Sequence, residues 1–471
     1  MYGSSKNQME RDFSNILISK KTTQGYLREN GLKKTLTFTH LWGISVGAVI
    51  SGQFIGWNNS LNFVNPWGLI VLTGMISGFF ILLISIITKL SVMLPYAGGS
   101  YAYARKAFGK LPGFLAGYVT MVEYLCITAV IFIYMEHYIE STLSTLWPGL
   151  VSLLVFFSLI GLQLLGTHKA SFSELLITCL CVSIFLLFFM GINSVDWKDP
   201  QSVVNFTNRP EGFFLAIPYV LWFFVGIDVV ILTAEEIKKP DQSLPVSFFA
   251  AIFTIIVLSF GVIVFSVNSV YWPSLKSTDY PLIFILEKLQ RGDAVLLAVF
   301  SFFSISSFIA SISGMMTGYS RQAFSLARAG YFPGFMDRIL DKTKTPYMAL
   351  IAPSIVVIVI SQVANVTALI QIVCICAVIS YVFSLLAYIQ ITRKSNRGFK
   401  KVMGAILALL GCAVLLGGFA RFQTLSFLIS LGIIVLGILY YFIFAKGRIN
   451  REAPEEIEAN LGDINIIMGN L

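Results

Sequence analysis

The chain has 471 residues, 56% of them hydrophobic and only 12% charged, with a mean hydropathy of +0.80. Soluble domains carry about twice that charged fraction and cannot bury apolar runs of this length placed end to end, so a soluble globular protein is excluded. The net charge of +9 would suit a nucleic-acid partner, but its placement along the chain argues against one.

In chain order, residues 1–37 are polar and charged and lack the apolar segment of a secretory signal, so the first long span is expected to remain in the mature protein. A helix crosses the hydrocarbon with about 20 mainly apolar residues. Twelve such runs follow, near 38–61, 68–90, 111–139, 147–166, 171–194, 212–234, 245–271, 293–320, 347–364, 366–391, 403–419 and 424–445. The ninth and tenth are parted only by Ala364-Asn365-Val366, the length of a tight turn. The expected fold class is an all-α polytopic membrane protein with twelve transmembrane helices. An even number of spans puts both ends on one side. With that side in the cytoplasm, 27 of the 33 Lys and Arg lie inside, leaving Lys198, Arg209, Lys276, Lys288, Arg291 and Arg421 outside. Positive charge tracks the cytoplasmic side. The basic balance is therefore topological, both termini are placed in the cytosol of a cytoplasmic (inner) membrane, and no nucleic acid is implied.

Two spans are poor membrane helices. The first holds GAVISGQFIGWNN (47–59), rich in glycine and amides; the sixth holds LWFFVGIDVVILTAEE (221–236), with Gly226 and Asp228 among aromatic and β-branched residues. Backbone in lipid must be paired, so such helices persist only against protein or a water-filled cavity. The two spans open the halves of a five-plus-five arrangement, about 38–194 and 212–391, and interruptions in corresponding positions point to a solute site near the membrane midplane. Gly52 and Gly56 also have the spacing of a helix-packing seam. The matching break in the sixth span favours the site.

Enzyme chemistry finds no machinery here. The six cysteines all fall in apolar spans without a CxxC, so neither a disulfide nor a metal site is expected. His40, His137 and His168 lie far apart near span ends, and neither HExxH nor GxSxG occurs.

PYAGGSYAYARKAFG (95–109) resembles the P-x-AGG-x-Y-x-Y-x-R signature of the amino acid–polyamine–organocation permeases. IPYVLWFFVGIDVVILTAEEIKKPDQSLP (217–245) resembles their sixth span with its AEE-x-K-x-P loop, and GYSRQAFSLARAGYFP (318–333) their eighth-span exit. The match runs over about the first 390 residues. It implies a twelve-helix permease with a five-plus-five inverted repeat, broken helices 1 and 6, and alternating access. The transport core would be residues 38–391, followed by two helices in 403–445 and a cytosolic tail, 446–471. Within the family, ISGQFIGWN (50–58) and LLGTHKASFSELLIT (164–178) look most like the ethanolamine permease branch, from which Lys89 and Asp228 depart.

The resemblance implies roles for particular residues. Ile50, Ser51, Gly52 and Gln53 match the unwound segment that offers backbone N–H groups to a substrate carboxylate or polar head. Trp222 matches an aromatic lying across the substrate beside Gly226, and Phe223 could add an aromatic face to an ammonium. Asp228 matches an acid that couples or senses protonation, with a satisfied helix-end carboxylate as the equal alternative. Glu123, inside the third span, would face the substrate ammonium or carry a proton. Glu136, His137, His168 and Glu174 read as interfacial. Ser306 and Ser307 could hold a cation, although such serines more often bond their own helix. The implied activity is secondary transport of a small amine or amino acid, ethanolamine-like solutes first. The alternatives are an amine or amino acid antiporter and a membrane solute sensor. No cofactor is implied beyond a coupling proton or sodium ion; lipid is the surrounding partner, and monomer and homodimer both remain open.

Overall fold

The computed structural model describes residues 32–143, 147–191, 211–289, 294–394, 400–449 and 453–457. The first 31 residues of the predicted N-terminal tail and most of the C-terminal tail lie outside them. The described chain is helical nearly throughout: α1 (Phe38–Ile50), α2 (Pro66–Met93), α3 (Ser100–Phe108), α4 (Lys110–Leu143), α5 (Pro148–Leu164), α6 (Thr167–Gly191), α7 (Glu211–Leu221), α8 (Pro240–Ser269), α9 (Pro281–Leu289), α10 (Ala294–Arg328), α11 (Tyr347–Val363), α12 (Val366–Lys394), α13 (Lys400–Phe422) and α14 (Thr424–Tyr440). Among the described residues, eight helices are long and apolar enough to cross a membrane: α2, α4, α6, α8, α10, α12, α13 and α14. Helices α5, α7 and α11 are shorter apolar segments.

Local chemistry sets the boundaries. Proline stands in the first turn of α2, α5 and α8, where its missing N–H has no helical partner to lose. At α2 the Asn65 side chain also accepts from the Gly68 N–H at 2.7 Å, capping the helix. The expected tight turn lies between α11 and α12, where Asn365 accepts from the Ala368 N–H at 3.2 Å.

Burial sorts the helices into an interior and a rim. In α4, 83% of the apolar window is buried against neighbours that include α10 and α12, against 17% in the last span. Leu425, Leu428, Leu436 and Ile443 are exposed there, forming a face for lipid. Helix α4 is thus an axis of the bundle, and Glu123 lies on it.

Two predicted spans are interrupted. Helix α1 stops at Ile50 and passes into short 3₁₀ segments, Ser51–Gln53 and Trp57–Asn62, with Gly56 at φ +87° between them. Helix α7 stops at Leu221, and Gly226 at φ +95° starts a ten-residue 3₁₀ segment, Ile227–Glu236. Runs of 3₁₀ helix beyond about four residues are uncommon and often mark hinges. Left-handed backbone favours glycine, which has no Cβ to clash. Each break is therefore written into the chain by one glycine.

Candidate functional site between the two breaks

The interruptions face each other. A methyl group at Gly52 would stand 2.9 Å from the Trp222 carbonyl oxygen and 3.3 Å from Trp222 Cδ1, and one at Gly56 would stand 3.3 Å from the same Cδ1. The Trp222 indole therefore lies against the first break at both glycines. Behind it, Phe223 stacks on Trp57, with centroids 6.5 Å apart and planes at 21°. A side chain at Gly226 would collide with Met315 Cε and touch Ile127, one turn beyond Glu123 on α4.

Hydrogen bonds fix the first break from the α10 side. The Ser51 N–H donates to Ser311 Oγ at 3.2 Å, and the Ser311 hydroxyl donates to the Gly47 carbonyl at 2.8 Å. One serine thus serves a donor and an acceptor that the unwinding helix has released. The Gln53 amide donates to Ser259 at 3.3 Å, while its oxygen has no partner among the described residues. The Trp222 indole N–H also has none among them.

Three acids are buried in this region. Asp228 is 3% exposed and receives long contacts from the Tyr124 hydroxyl at 3.5 Å and the Tyr381 hydroxyl at 3.4 Å. Glu123 is fully buried, neither oxygen has a hydrogen-bond partner, and it is close enough to Asp228 for the two charges to interact. Glu174 is 1% exposed, with both oxygens unpartnered and the Ser313 hydroxyl nearby. Among the described residues, none of the three is in an ion pair. An acid at this depth is costly, and it normally meets a partner, a cavity or a proton.

The structure brings Ile50, Ser51, Gly52, Gln53, Trp222, Phe223 and Gly226 to one locus, with Glu123 and Asp228 beside it. Among the described residues, no hydrogen bond joins Ser306 or Ser307 to that locus. Their hydroxyls donate to carbonyls of their own helix, Phe302 at 2.8 Å and Ser304 at 2.7 Å. The interfacial reading of Glu174 is corrected. Its carboxylate lies between Gly47 and Gly314, where added methyl groups would approach Oε1 at 3.3 and 2.7 Å. Helical rotation turns it inward, although Lys169 and exposed His168 are near in sequence. Ser311 is a further residue of the locus that sequence reasoning did not single out, and Gly56, noted there only for its packing-seam spacing, also belongs to it.

The ends of the broken spans are fastened at the basic end of the bundle. Thr35 and Leu36 N–H groups donate to the Glu236 carbonyl at 2.8 and 2.9 Å, next to a parallel bridge between Leu36 and Ile237. Arg321 Nε donates to the Glu236 carboxylate at 2.9 Å, and Arg328 binds both oxygens of Glu235. The AEE and SR-x-x-F-x-x-AR stretches, quoted separately above, are thus two halves of one buried charge network.

Sequence comparison agrees with this architecture. Residues 36–445 match the amino acid permease family. The gamma-aminobutyric acid permease of Bacillus subtilis is 24% identical over 340 residues, covering 69% of this chain and 71% of the relative. A branched-chain amino acid permease of the same organism is 22% identical over 382 residues, covering 75% and 80%. An aromatic amino acid transport protein of Escherichia coli is 25% identical over 451 residues, covering 89% and 97%. With the family matched over most of its length, the chain belongs to the amino acid permeases: it is a multi-pass membrane transporter of amino acids and not an enzyme.

Proposed function

We propose that this permease moves a small solute bearing an ammonium group, an amino acid or an ethanolamine-like amine, by alternating access around the two breaks. The observation that carries this reading is the facing of Gly52 and Trp222 beside two buried acids with no cation. The Ser51–Gln53 segment would receive the solute's carboxylate or hydroxyl, because glycine lets a ligand approach the backbone and Gln53 has an amide oxygen to spare. Trp222 would cover the solute, with Phe223 behind it. Glu123 and Asp228 would neutralise the ammonium or carry the coupling proton, as intramembrane acids do in transporters.

The same reading places twelve spans around a five-plus-five inverted repeat in residues 38–391, with helices in 403–445 outside it. Both termini face the cytosol at the cytoplasmic membrane, in keeping with the basic end described above. A proton is favoured over sodium as coupling ion, because Glu123 and Asp228 are buried acids without an ion pair among the described residues. The named relatives act on gamma-aminobutyrate and on branched-chain and aromatic amino acids. These share an ammonium with ethanolamine, whose second polar group is a hydroxyl.

The test is uptake into proteoliposomes of labelled ethanolamine, gamma-aminobutyrate, leucine and phenylalanine. A proton gradient is imposed with and without sodium. At least one solute should accumulate with the proton gradient alone. Binding of a panel member without flux would replace transport by sensing, and dependence on sodium would remove the proton.

A further inference from the structure

The charge network at the basic end includes a segment from far along the chain. Beyond α14 and the π-helical turn Tyr441–Ala445, residues 453–457 lie against the bundle with Glu455 2% and Glu456 1% exposed. Glu456 receives both Arg105 Nε at 2.9 Å and Arg105 Nη2 at 2.7 Å, a forked pair that fixes orientation as well as position. Its Oε1 also accepts from the Tyr101 hydroxyl at 3.0 Å and the Tyr331 hydroxyl at 3.1 Å. Glu455 accepts from the Ser325 hydroxyl at 2.8 Å and from Arg328, the arginine that also holds Glu235. Ala453 packs into an aromatic cluster with Tyr101, Phe114, Tyr331 and Tyr441.

This stretch joins three elements that belong to different parts of the bundle. Arg105 and Tyr101 are on α3, Ser325 and Arg328 end α10, and Glu235 ends the second broken span. Through Glu236 and Leu36, the second broken span carries the start of the first with it. A path opening at this end must part these elements, and the segment ties them together.

The site is also built to survive the segment's departure. Arg328 would keep Glu235 as its partner, and Arg105, 7% exposed, would gain water. Among the described residues, the buried Glu455 Oε2 has no hydrogen-bond partner. Desolvation of buried ion pairs largely offsets their attraction, so such a contact can hold position while contributing little net stability.

We propose that Ala453–Ile457 is a releasable latch. It is an acidic strap of the chain itself, seated in a site formed by Tyr101, Arg105, Ser325, Arg328 and Tyr331, and it holds the basic end closed until it undocks. The regulatory consequence rests on the transport reading above; the docking and the closure do not, and both can be measured without substrate.

The experiment uses two thiol reporters in the full-length protein, each in a Cys179→Ser background because Cys179 is the exposed cysteine among the described residues. Ile457→Cys reports undocking. Ala97→Cys, at a buried position whose N–H donates to Glu235 at 3.0 Å, reports opening of the basic end. Glu456→Gln, which removes the forked partner of Arg105, should raise impermeant-maleimide labelling of both reporters by on the order of tenfold, as expected of a shifted two-state population. Labelling of Ile457→Cys that does not change would show that the Glu456 carboxylate does not hold the segment. A rise at Ile457→Cys with Ala97→Cys still protected would reduce the segment to a passive strap. Excess synthetic peptide of sequence APEEIE, added to the chain with both glutamates intact, should displace the tethered segment. It should raise labelling of Ile457→Cys alone, and failure to do so would contradict a site that recognises the acidic strap. This arm needs no charge-neutralised variant to fold. Failure of every solute in the uptake panel, with both reporters behaving as stated, would overturn the transport reading and leave the latch standing.

Discussion

Two clusters of charged side chains are buried in this protein, and they are satisfied in opposite ways. At the basic end, Arg105, Arg321 and Arg328 are matched with Glu235, Glu236, Glu455 and Glu456 in buried ion pairs. Around the breaks, Glu123, Asp228 and Glu174 form no ion pair among the described residues, and neither oxygen of Glu123 has a hydrogen-bond partner among them. Paired charges in a low dielectric hold elements together, whereas unpaired ones remain available to a ligand or a proton. The first cluster is read as a fastening and the second as a working site.

That contrast predicts opposite responses to charge removal. The largest effect on stability is expected from Arg328→Ala, which strands Glu235 and Glu455. Removing one member of a buried pair costs about 3–5 kcal/mol, and thermal unfolding in detergent should fall well below that of the unaltered protein. Unchanged melting would mean that the basic end is no fastening. Gly226→Val should come next, because left-handed backbone costs a β-branched residue about 1–3 kcal/mol and the added side chain meets Met315. Lowered melting together with lost uptake is the expected result.

Glu123→Gln should behave in the reverse manner. Removing an unpaired buried charge leaves melting unchanged or raised, while proton-driven accumulation is lost and solute exchange persists. Asp228→Asn should likewise weaken gradient-driven uptake more than solute binding, measured by thermal shift with the transported solute. If either variant melts early and transports normally, the working-site reading is reversed.

The smallest effect concerns pH at the latch. Glu455 faces Arg328, Glu235 and Ser325, and burial raises its carboxyl above the ordinary carboxylate range despite Arg328. The docked form then binds its proton more tightly than the undocked form. Docking is favoured on the acid side and weakened as pH rises through the docked value. A nitroxide at Ile457→Cys should accordingly become more mobile with rising pH; the opposite trend would show that loss of the Arg328 pairing dominates.

Some of this was legible in the sequence, for identifiable reasons. Apolar runs set out the helices, and glycine with amides in GAVISGQFIGWNN marked the first break because such residues weaken a helix in lipid. The sequence could not say which glycine does what. Gly52 is required by the close approach of the Trp222 carbonyl, and Gly56 by its own left-handed backbone, and neither property has a local signature. Glu174 looked interfacial because it follows His168 and Lys169. A better signal was the pair of small residues, Gly47 and Gly314, that make room for it on facing helices. The acidic pair Glu455-Glu456 resembled any polar tail, since Tyr101 and Arg105 lie about 350 residues earlier.

The central claim is that the two breaks meet to form the solute site, and one substitution pair tests it most directly. A methyl group at Gly52 must displace the Trp222 carbonyl, while one at Gly78 on α2 meets nothing within 4 Å. Initial uptake of the transported solute into proteoliposomes should be abolished by Gly52→Ala and nearly unchanged by Gly78→Ala, with both variants folded. Equal uptake by the two would contradict a site between the breaks.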